Sequence, residues 1–114
     1  MPYLQIQTNL EIKPEQHATL LANASQTVAQ ILGKPESYVM VALQANTPMV
    51  FAGTEQPTAF LELKSIRLPT ANTTELSQKL CSFIEDSLKI PKDRIYIEFI
   101  NAEASLWGWN ERTF

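Results

Sequence analysis

The chain is poor in the residues that build disulfide frameworks and metal sites. Its 114 residues include one cysteine, Cys81, and one histidine, His17. A single thiol excludes an internal disulfide, and neither residue belongs to a cluster with metal-ligand spacing. We therefore expect no metal and no cofactor.

No apolar run approaches the roughly 20 residues that span a bilayer, and no basic segment followed by an apolar stretch indicates a signal peptide.

Positive charge is also scarce, since nine basic and twelve acidic residues give a net charge of −3. No basic run is interleaved with aromatic residues, which argues against nucleic acid as a partner. The default location is the cytoplasm, and any secretion would have to occur without a signal peptide. A chain of this length with 45% hydrophobic residues is typical of one compact domain, here residues 1–114.

What the chain does contain is a strand–helix–strand pattern that occurs twice. An alternating strand runs to about Asn9, and the helix that follows begins at Pro14 and ends at Gly33. A second strand covers residues 38–44, and the crossover is long enough for parallel pairing. The helix is expected to bury one apolar stripe, made of Ala18, Leu21, Ala24, Ser25, Val28, Ile31 and Leu32.

The pattern restarts with a strand over residues 59–66, a helix with Asn72 as its N-cap, and a strand over 94–100. The second helical stripe is Leu76, Leu80, Phe83, Ile84 and Leu88. We predict an α/β fold of the α+β two-layer kind, in which two βαβ units form a four-stranded mixed sheet with two helices on one face. The other face would carry Gln5, Gln7, Glu62, Lys64, Tyr96 and Glu98. Because the tail aromatics Trp107, Trp109 and Phe114 also need a surface, this face favours self-association.

The Met1-Pro2 pair carries the clearest chemical signal. A small residue after the initiator favours removal of Met1, which would leave a proline secondary amine on a rigid strand. Such an amine can act as a base, whereas a retained methionine would leave a non-basic amide. The alternative is that Pro2 only starts an edge strand, where its missing donor is harmless.

Further short motifs are spread over the whole chain. They are Thr8-Asn9, Gly33-Lys34-Pro35, Tyr38, Ser65-Ile66, Pro91, Asp93-Arg94, Tyr96-Ile97, Gly108-Trp109-Asn110 and Thr113-Phe114. With Met1-Pro2, these residues make the sequence resemble the macrophage migration inhibitory factor (MIF) family of the tautomerase superfamily. The resemblance implies a homotrimer of βαβ pairs with active sites between neighbouring subunits. It also implies keto–enol tautomerisation of small α-keto acids such as phenylpyruvate.

The resemblance assigns proton transfer to Pro2. A base works best when its pKa lies near the working pH, and a proline amine is intrinsically too basic. Burial against Ile66 and the charge of Lys34 would both lower the pKa of that amine. By resemblance, Lys34 also binds the substrate carboxylate, and the backbone amide of Ile66 is a second donor. The alternative for Lys34 is that it only complements a helix dipole.

The remaining candidate site residues are aromatic or acidic. The resemblance implies that Tyr96 reaches the site from the adjacent subunit, and Glu98 shares its strand face. Tyr38 is a further pocket candidate, and Trp109 is expected at the pocket rim. Glu98 and Trp107 stand where the animal cytokines carry an asparagine and a small aliphatic residue, so both are expected to alter substrate preference near the pocket mouth.

Other positions depart from the animal cytokines. Thr58 and Leu61 replace their Cys-x-x-Cys motif, so the chain has no residues for thiol oxidoreductase activity. Ile12 and Asn46 replace the charged pair of a receptor motif, which argues against host receptor binding of that kind. Two alternatives to a tautomerase remain. One is a non-enzymatic, cytokine-like binding protein, and the other is a related decarboxylase or dehalogenase.

Overall fold

Two strand–helix–strand units make up most of the chain in a computed structural model that describes all residues, 1–114. The first unit contains β1 (Tyr3–Thr8), α1 (Pro14–Leu32) and β2 (Met40–Gln44). The second contains β3 (Ala59–Ile66), α2 (Thr73–Leu88) and β4 (Ile95–Ala102). Two short strands, β5 (Gly108–Trp109) and β6 (Arg112–Thr113), follow in the tail. The predicted order of elements is therefore confirmed.

The four main strands form one mixed sheet in the order β2-β1-β3-β4. Within each unit the two strands are parallel, and the units join through the antiparallel pair of β1 and β3. Each parallel pair needs a long crossover, which α1 and α2 supply. The mixed sheet predicted from the sequence is confirmed.

Both helices cover the same face of the sheet, and the core lies between the two layers. Its largest fully buried side chains include Leu4, Ile6, Leu61, Leu63, Leu80 and Ile84. In α1 the buried positions are Leu20, Ala24 and Val28. The prediction of Ala18 in the buried stripe is wrong, because it lies about 200° around the helix from Leu20 and is exposed. In α2, Leu76, Leu80 and Ile84 are buried as predicted.

Two predicted strand boundaries and one predicted helix cap differ from the structure. Tyr38 precedes β2 because Glu36–Tyr38 forms a 3₁₀ turn. Asn72 is the N-cap of α2, but its side chain makes no capping hydrogen bond because a 3₁₀ turn over Thr70–Asn72 leads into the helix. The last main strand begins at Ile95 rather than at residue 94 and extends to Ala102.

The tail forms a hairpin that the sequence patterns did not predict. Strands β5 and β6 are antiparallel, and Asn110 and Glu111 between them have φ values of 52° and 65°. Two successive left-handed residues are typical of a tight two-residue hairpin turn.

None of the helices is both long enough and apolar enough to cross a membrane.

Candidate active site

Pro2 lies at one end of the sheet, where β2 begins and β3 ends. It is fully buried, and its carbonyl oxygen accepts a hydrogen bond of 3.0 Å from the backbone N–H of Met40. The next residue, Tyr3, pairs with Met40 on one side and with Lys64 on the other. The N-terminus is therefore held between two strands and does not fray.

Lys34 reaches this end of the sheet from the C-terminus of α1. Gly33 ends the helix with φ 63°, the left-handed conformation that glycine adopts most readily, and the N–H of Lys34 then bonds to the Ala29 carbonyl at 3.0 Å. The Lys34 ammonium donates to the Ser65 hydroxyl oxygen at 2.7 Å and to the Ile66 carbonyl oxygen. The predicted pair of Lys34 and Ile66 thus meets at the end of β3.

Burial and nearby positive charges favour the neutral forms of the amines at the N-terminus. Burial lowers the pKa of the Met1 α-amine, and the nearby Lys34 ammonium lowers that pKa further. Burial also lowers the pKa of Lys34, with a smaller effect from the Arg67 guanidinium. The geometry is consistent with these directions, because Lys34 bonds to Ser65, which follows Lys64, the strand partner of Tyr3.

A pocket of about 380 Å³ opens over Pro2. Eight of its twelve lining residues are hydrophobic, so an apolar group could be desolvated there. The lining consists of Met1, Pro2, Tyr3, Ser37, Tyr38, Val39, Met40, Lys64, Trp107, Gly108, Trp109 and Phe114. Met1 itself occupies part of the wall, so its removal would enlarge the space beside Pro2.

The tail hairpin supplies the aromatic side of this pocket. The rings of Trp109 and Phe114 stack with centroids 5.6 Å apart, and Tyr38 packs edge-on against Trp109 at 5.9 Å. The guanidinium of Arg112 lies 5.2 Å from the centre of the Trp109 ring. The hydrogen bond from the Phe114 N–H to the Trp107 carbonyl, at 3.2 Å, closes the hairpin. Tyr38, Trp107 and Trp109 therefore line the same pocket.

Tyr96 and Glu98 lie on the sheet face that no helix covers. Tyr96 pairs with Phe60 at the start of β3, whereas Tyr3 pairs with Lys64, four residues further along that strand. That offset corresponds to about 13 Å along the strand, and β3 also separates β4 from β1. Within one chain, the structure therefore does not bring Tyr96 or Glu98 to Pro2.

Comparison with known proteins agrees with this geometry. The family model described as "Macrophage migration inhibitory factor (MIF)" matches residues 1–114. The chain belongs to the MIF family. A MIF homologue from Brugia malayi is 45% identical over 116 residues, covering 100% of this chain and 99% of that protein.

Solved structures of MIF proteins share the fold. The homologue from Prochlorococcus marinus is 44% identical with a TM-score of 0.91, and 98% of each chain is covered. The MIF of Trichinella spiralis is 35% identical with a TM-score of 0.90, covering 98% of this chain and 99% of that one. The predicted α+β fold and the family resemblance are confirmed.

Sequence reasoning missed two residues of the site in this MIF-family chain. Ser65 is fully buried and holds the Lys34 ammonium, yet it appeared in the sequence only as part of a motif. Lys64 was assigned to the uncovered face, but it also lines the pocket, 3.6 Å from Glu62 and 6.0 Å from the centre of the Tyr3 ring. The register of β1 against β3 brings Lys64 there, and sequence spacing does not specify register.

A larger groove of about 610 Å³ lies along α2 and does not involve these residues. It is more open and mainly polar, with Thr73, Ser77, Cys81 and Lys92 among its lining residues. Ligand sites are usually enclosed and mostly apolar with a few convergent polar groups. The smaller pocket over Pro2 fits that description better, and we take it as the candidate active site of this MIF-family protein.

Proposed function

We propose that this MIF-family chain is a keto–enol tautomerase that acts on phenylpyruvate-like α-keto acids, with the Pro2 amine as general base after removal of Met1. The observation that carries the proposal is the position of Pro2, which is buried at an aromatic-lined pocket. The Lys34 ammonium lies at the same end of the sheet, bonded to Ser65 next to Lys64, the strand partner of Tyr3. Burial and a neighbouring cation both lower the pKa of an amine, and a base with a pKa near neutrality transfers protons efficiently.

The reaction needs only a proton transfer. The neutral Pro2 amine removes a proton from the carbon next to the keto group, and the electron pair of that C–H bond becomes the C=C bond of the enol. The protonated amine then returns the proton to the former keto oxygen. Lys34 would pair with the substrate carboxylate and stabilise the negative charge that develops on this oxygen. Ile66 would contribute an amide donor and an apolar wall. No cofactor takes part in these steps.

The aromatic lining supports an aryl substrate. Tyr38, Trp107 and Trp109 present ring faces and edges to the pocket, and aromatic pairs contribute about 0.5–1.5 kcal/mol beyond their buried area. The pocket volume of about 380 Å³ is within the usual range for small-molecule sites. Phenylpyruvate combines the required carboxylate, keto group and ring.

The proposed active unit is a homotrimer in which Tyr96 and Glu98 enter the pocket of the neighbouring subunit. Their distance from Pro2 within one chain supports a contribution from a second copy. The uncovered sheet face also exposes large apolar side chains, with Tyr96 62% and Met40 66% exposed. These two side chains lie on the opposite edge strands β2 and β4, where a neighbouring copy would cover each of them. Sedimentation equilibrium measures the oligomeric state directly. The proposed location is the cytoplasm.

The deciding experiment is a ketonisation assay that follows enol absorbance, using protein whose intact mass proves the loss of Met1. Pro2→Gly should lose about a hundredfold or more in kcat/KM, the usual range for general acid–base catalysis. Pro48→Gly, at an exposed loop position outside the pocket, is the matched control and should retain the rate. Full activity in Pro2→Gly, or in protein that retains Met1, would exclude Pro2 as the base.

One observation favours the related decarboxylase or dehalogenase as a second candidate. Those chemistries need additional cations to hold a small acid, and Arg67 directly follows Ile66, whose carbonyl oxygen accepts a hydrogen bond from Lys34. Product analysis with malonate semialdehyde and haloacrylates distinguishes the candidates. Acetaldehyde from the first substrate, or halide from the second, at a rate above that of tautomerisation would favour this alternative.

A further inference from the structure

Arg94 precedes β4 and holds a loop rather than an acidic partner. Its side chain forms no ion pair in the structure. The guanidinium instead donates to backbone carbonyl oxygens: Nε to Pro57 at 2.9 Å, Nη1 to Phe51 at 3.0 Å, and Nη2 to Gln56 at 3.0 Å and Thr54 at 3.4 Å. One rigid planar group therefore fixes the whole loop 51–57, which a lysine point charge cannot do.

The loop that Arg94 holds contains a tight, strained turn. Phe51 and Thr54 exchange backbone hydrogen bonds of 3.0 and 3.1 Å, and Ala52 and Gly53 between them have φ values of 53° and 77°. A left-handed alanine is unfavourable and persists only where surrounding contacts determine it. The Arg94 bonds to the carbonyls of Phe51 and Thr54 supply such contacts on both sides of the turn.

The loop in turn positions an aromatic ring against Tyr96. The Phe51 ring packs edge-on against the Tyr96 ring, with centroids 4.7 Å apart and planes at 72°. Its other contact is with Arg94, whose guanidinium carbon lies 5.2 Å from the Phe51 ring centre. Tyr96 itself is 62% exposed, so Phe51 is the one aromatic neighbour that restricts its ring.

We propose that Arg94 is a positioning residue for Tyr96, which acts by fixing the loop 51–57 so that Phe51 holds the Tyr96 ring in the orientation that the neighbouring subunit's pocket requires. This inference rests on the proposed function, because that function is what gives the orientation of Tyr96 a role. Arg94 does not touch the substrate. Its effect on the reaction passes through Phe51 and Tyr96.

The test compares Arg94→Lys with Lys92→Met, a control in the same 3₁₀ turn whose side chain forms an ion pair with Glu85 at 3.8 Å and no hydrogen bond to the loop 51–57. Two properties are measured: the steady-state kinetics with phenylpyruvate (KM and kcat), and the ¹⁹F resonance of 3-fluorotyrosine at position 96, assigned with Tyr96→Phe. Arg94→Lys should raise KM about three- to tenfold, as expected for loss of an aromatic contact, leave kcat within about twofold, and shift the resonance. Lys92→Met should change neither property.

Phe51→Leu is the second variant, because it removes the ring while leaving the backbone carbonyls that Arg94 binds. It should reproduce the KM increase and the shifted resonance, and it decides the question if Arg94→Lys does not fold. Reduced thermal stability with an unchanged KM and resonance would show that Arg94 only stabilises the loop, and would overturn the proposal. If the wild-type protein shows no ketonisation, the proposed function fails, while the resonance still shows whether Arg94 positions Tyr96.

Discussion

The ammonium nitrogen of Lys34 lies 2.7 Å from the hydroxyl oxygen of Ser65, so a residue at the end of α1 is fixed to the end of β3. Ser65 is fully buried and in turn donates to the Ile66 carbonyl at 3.0 Å. No buried side-chain nitrogen or oxygen lacks a hydrogen-bond partner in the structure. The cation that is proposed to bind substrate is therefore held in place before any substrate arrives, which reduces the entropy lost on binding.

We expect Lys34→Gln to move the pH profile of kcat/KM. The base acts when its amine is neutral, so the rate should rise with pH through the pKa of that amine. Because burial and the Lys34 charge lower the pKa of the Met1 α-amine, we expect the same two causes to lower the pKa of the Pro2 amine once Met1 is removed. The rise should then occur at a lower pH in the wild type than in the variant. Removal of the charge raises the amine pKa, so the rise should shift to higher pH.

The same variant should also remove the alkaline limb of the profile. In the wild type the rate should fall as Lys34 loses its proton, and the lowered pKa of Lys34 brings that fall to a lower pH than usual for lysine. Lys13→Gln, at the exposed start of α1, is the control and should leave both limbs unchanged. An acid limb that stays in place in Lys34→Gln would contradict the electrostatic account.

Ser65→Ala should destabilise the protein, because it leaves the Lys34 ammonium with one partner fewer in a partly buried position. A hydrogen bond to a charged group contributes about 1.5–3 kcal/mol, so we expect a loss in the free energy of unfolding within this range. Urea denaturation at equal protein concentration measures it. Ser87→Ala, exposed near the end of α2, should change the midpoint little. Equal midpoints for the two variants would show that the Lys34–Ser65 bond has little energetic effect.

Phe114→Ala should weaken binding of aryl substrates more than binding of aliphatic ones. The variant removes the ring that stacks on Trp109 and packs edge-on against Tyr38, so the aromatic side of the pocket loses its support. Loss of such contacts corresponds to about 0.5–1.5 kcal/mol, a rise in KM of about two- to tenfold for phenylpyruvate. Leu106→Ala, at an 80% exposed tail residue outside the pocket, is the control. A proportional rise for pyruvate would argue against the aromatic explanation.

Glu98→Gln should lower KM for anionic substrates and stabilise the sheet. Glu98 pairs in register with Glu62 on the neighbouring parallel strand, and two like charges on adjacent strands repel each other. The amide removes this repulsion and also removes a negative charge from the proposed pocket mouth. KM for phenylpyruvate at low ionic strength and the thermal midpoint are the measurements. Glu103→Gln, exposed and just beyond β4, should change neither, and a raised KM in Glu98→Gln would contradict the assigned position of Glu98.

The elements of the fold were predictable because their signals are local. Pro14 and Gly33 mark the ends of α1, and Ile95, Ile97 and Phe99 alternate as a half-buried strand does. The hairpin was not predicted, since its turn residues Asn110 and Glu111 are not the Asn-Gly or Asp-Gly pair typical of such turns. The exposed position of Ala18 depends on how the helix is rotated against the sheet. Alanine suits either face, so composition alone does not determine it.

The candidate site was predictable only where the family resemblance supplied it. Pro2, Lys34, Tyr38 and Trp107 gather at one end of the sheet, but no local pattern indicates that the loop after α1 meets the end of β3. The position of Lys64 depends on the register of β1 against β3. The role of Ser65 depends on the long Lys34 side chain, which reaches from the end of α1 to the end of β3. Such tertiary relations follow from packing.

Pro2 and Tyr96 lie near different ends of β3 within one chain, and this distance predicts the activity of trimers assembled from two different variants. Under the proposed function, one chain holds the base of one site and the tyrosine of another. A subunit that lacks Pro2 and a subunit that lacks Tyr96 should therefore complement each other when they are unfolded together and refolded, because each mixed trimer would contain one complete site. Dilution below the assembly threshold should abolish activity while each chain still carries every residue that catalysis needs.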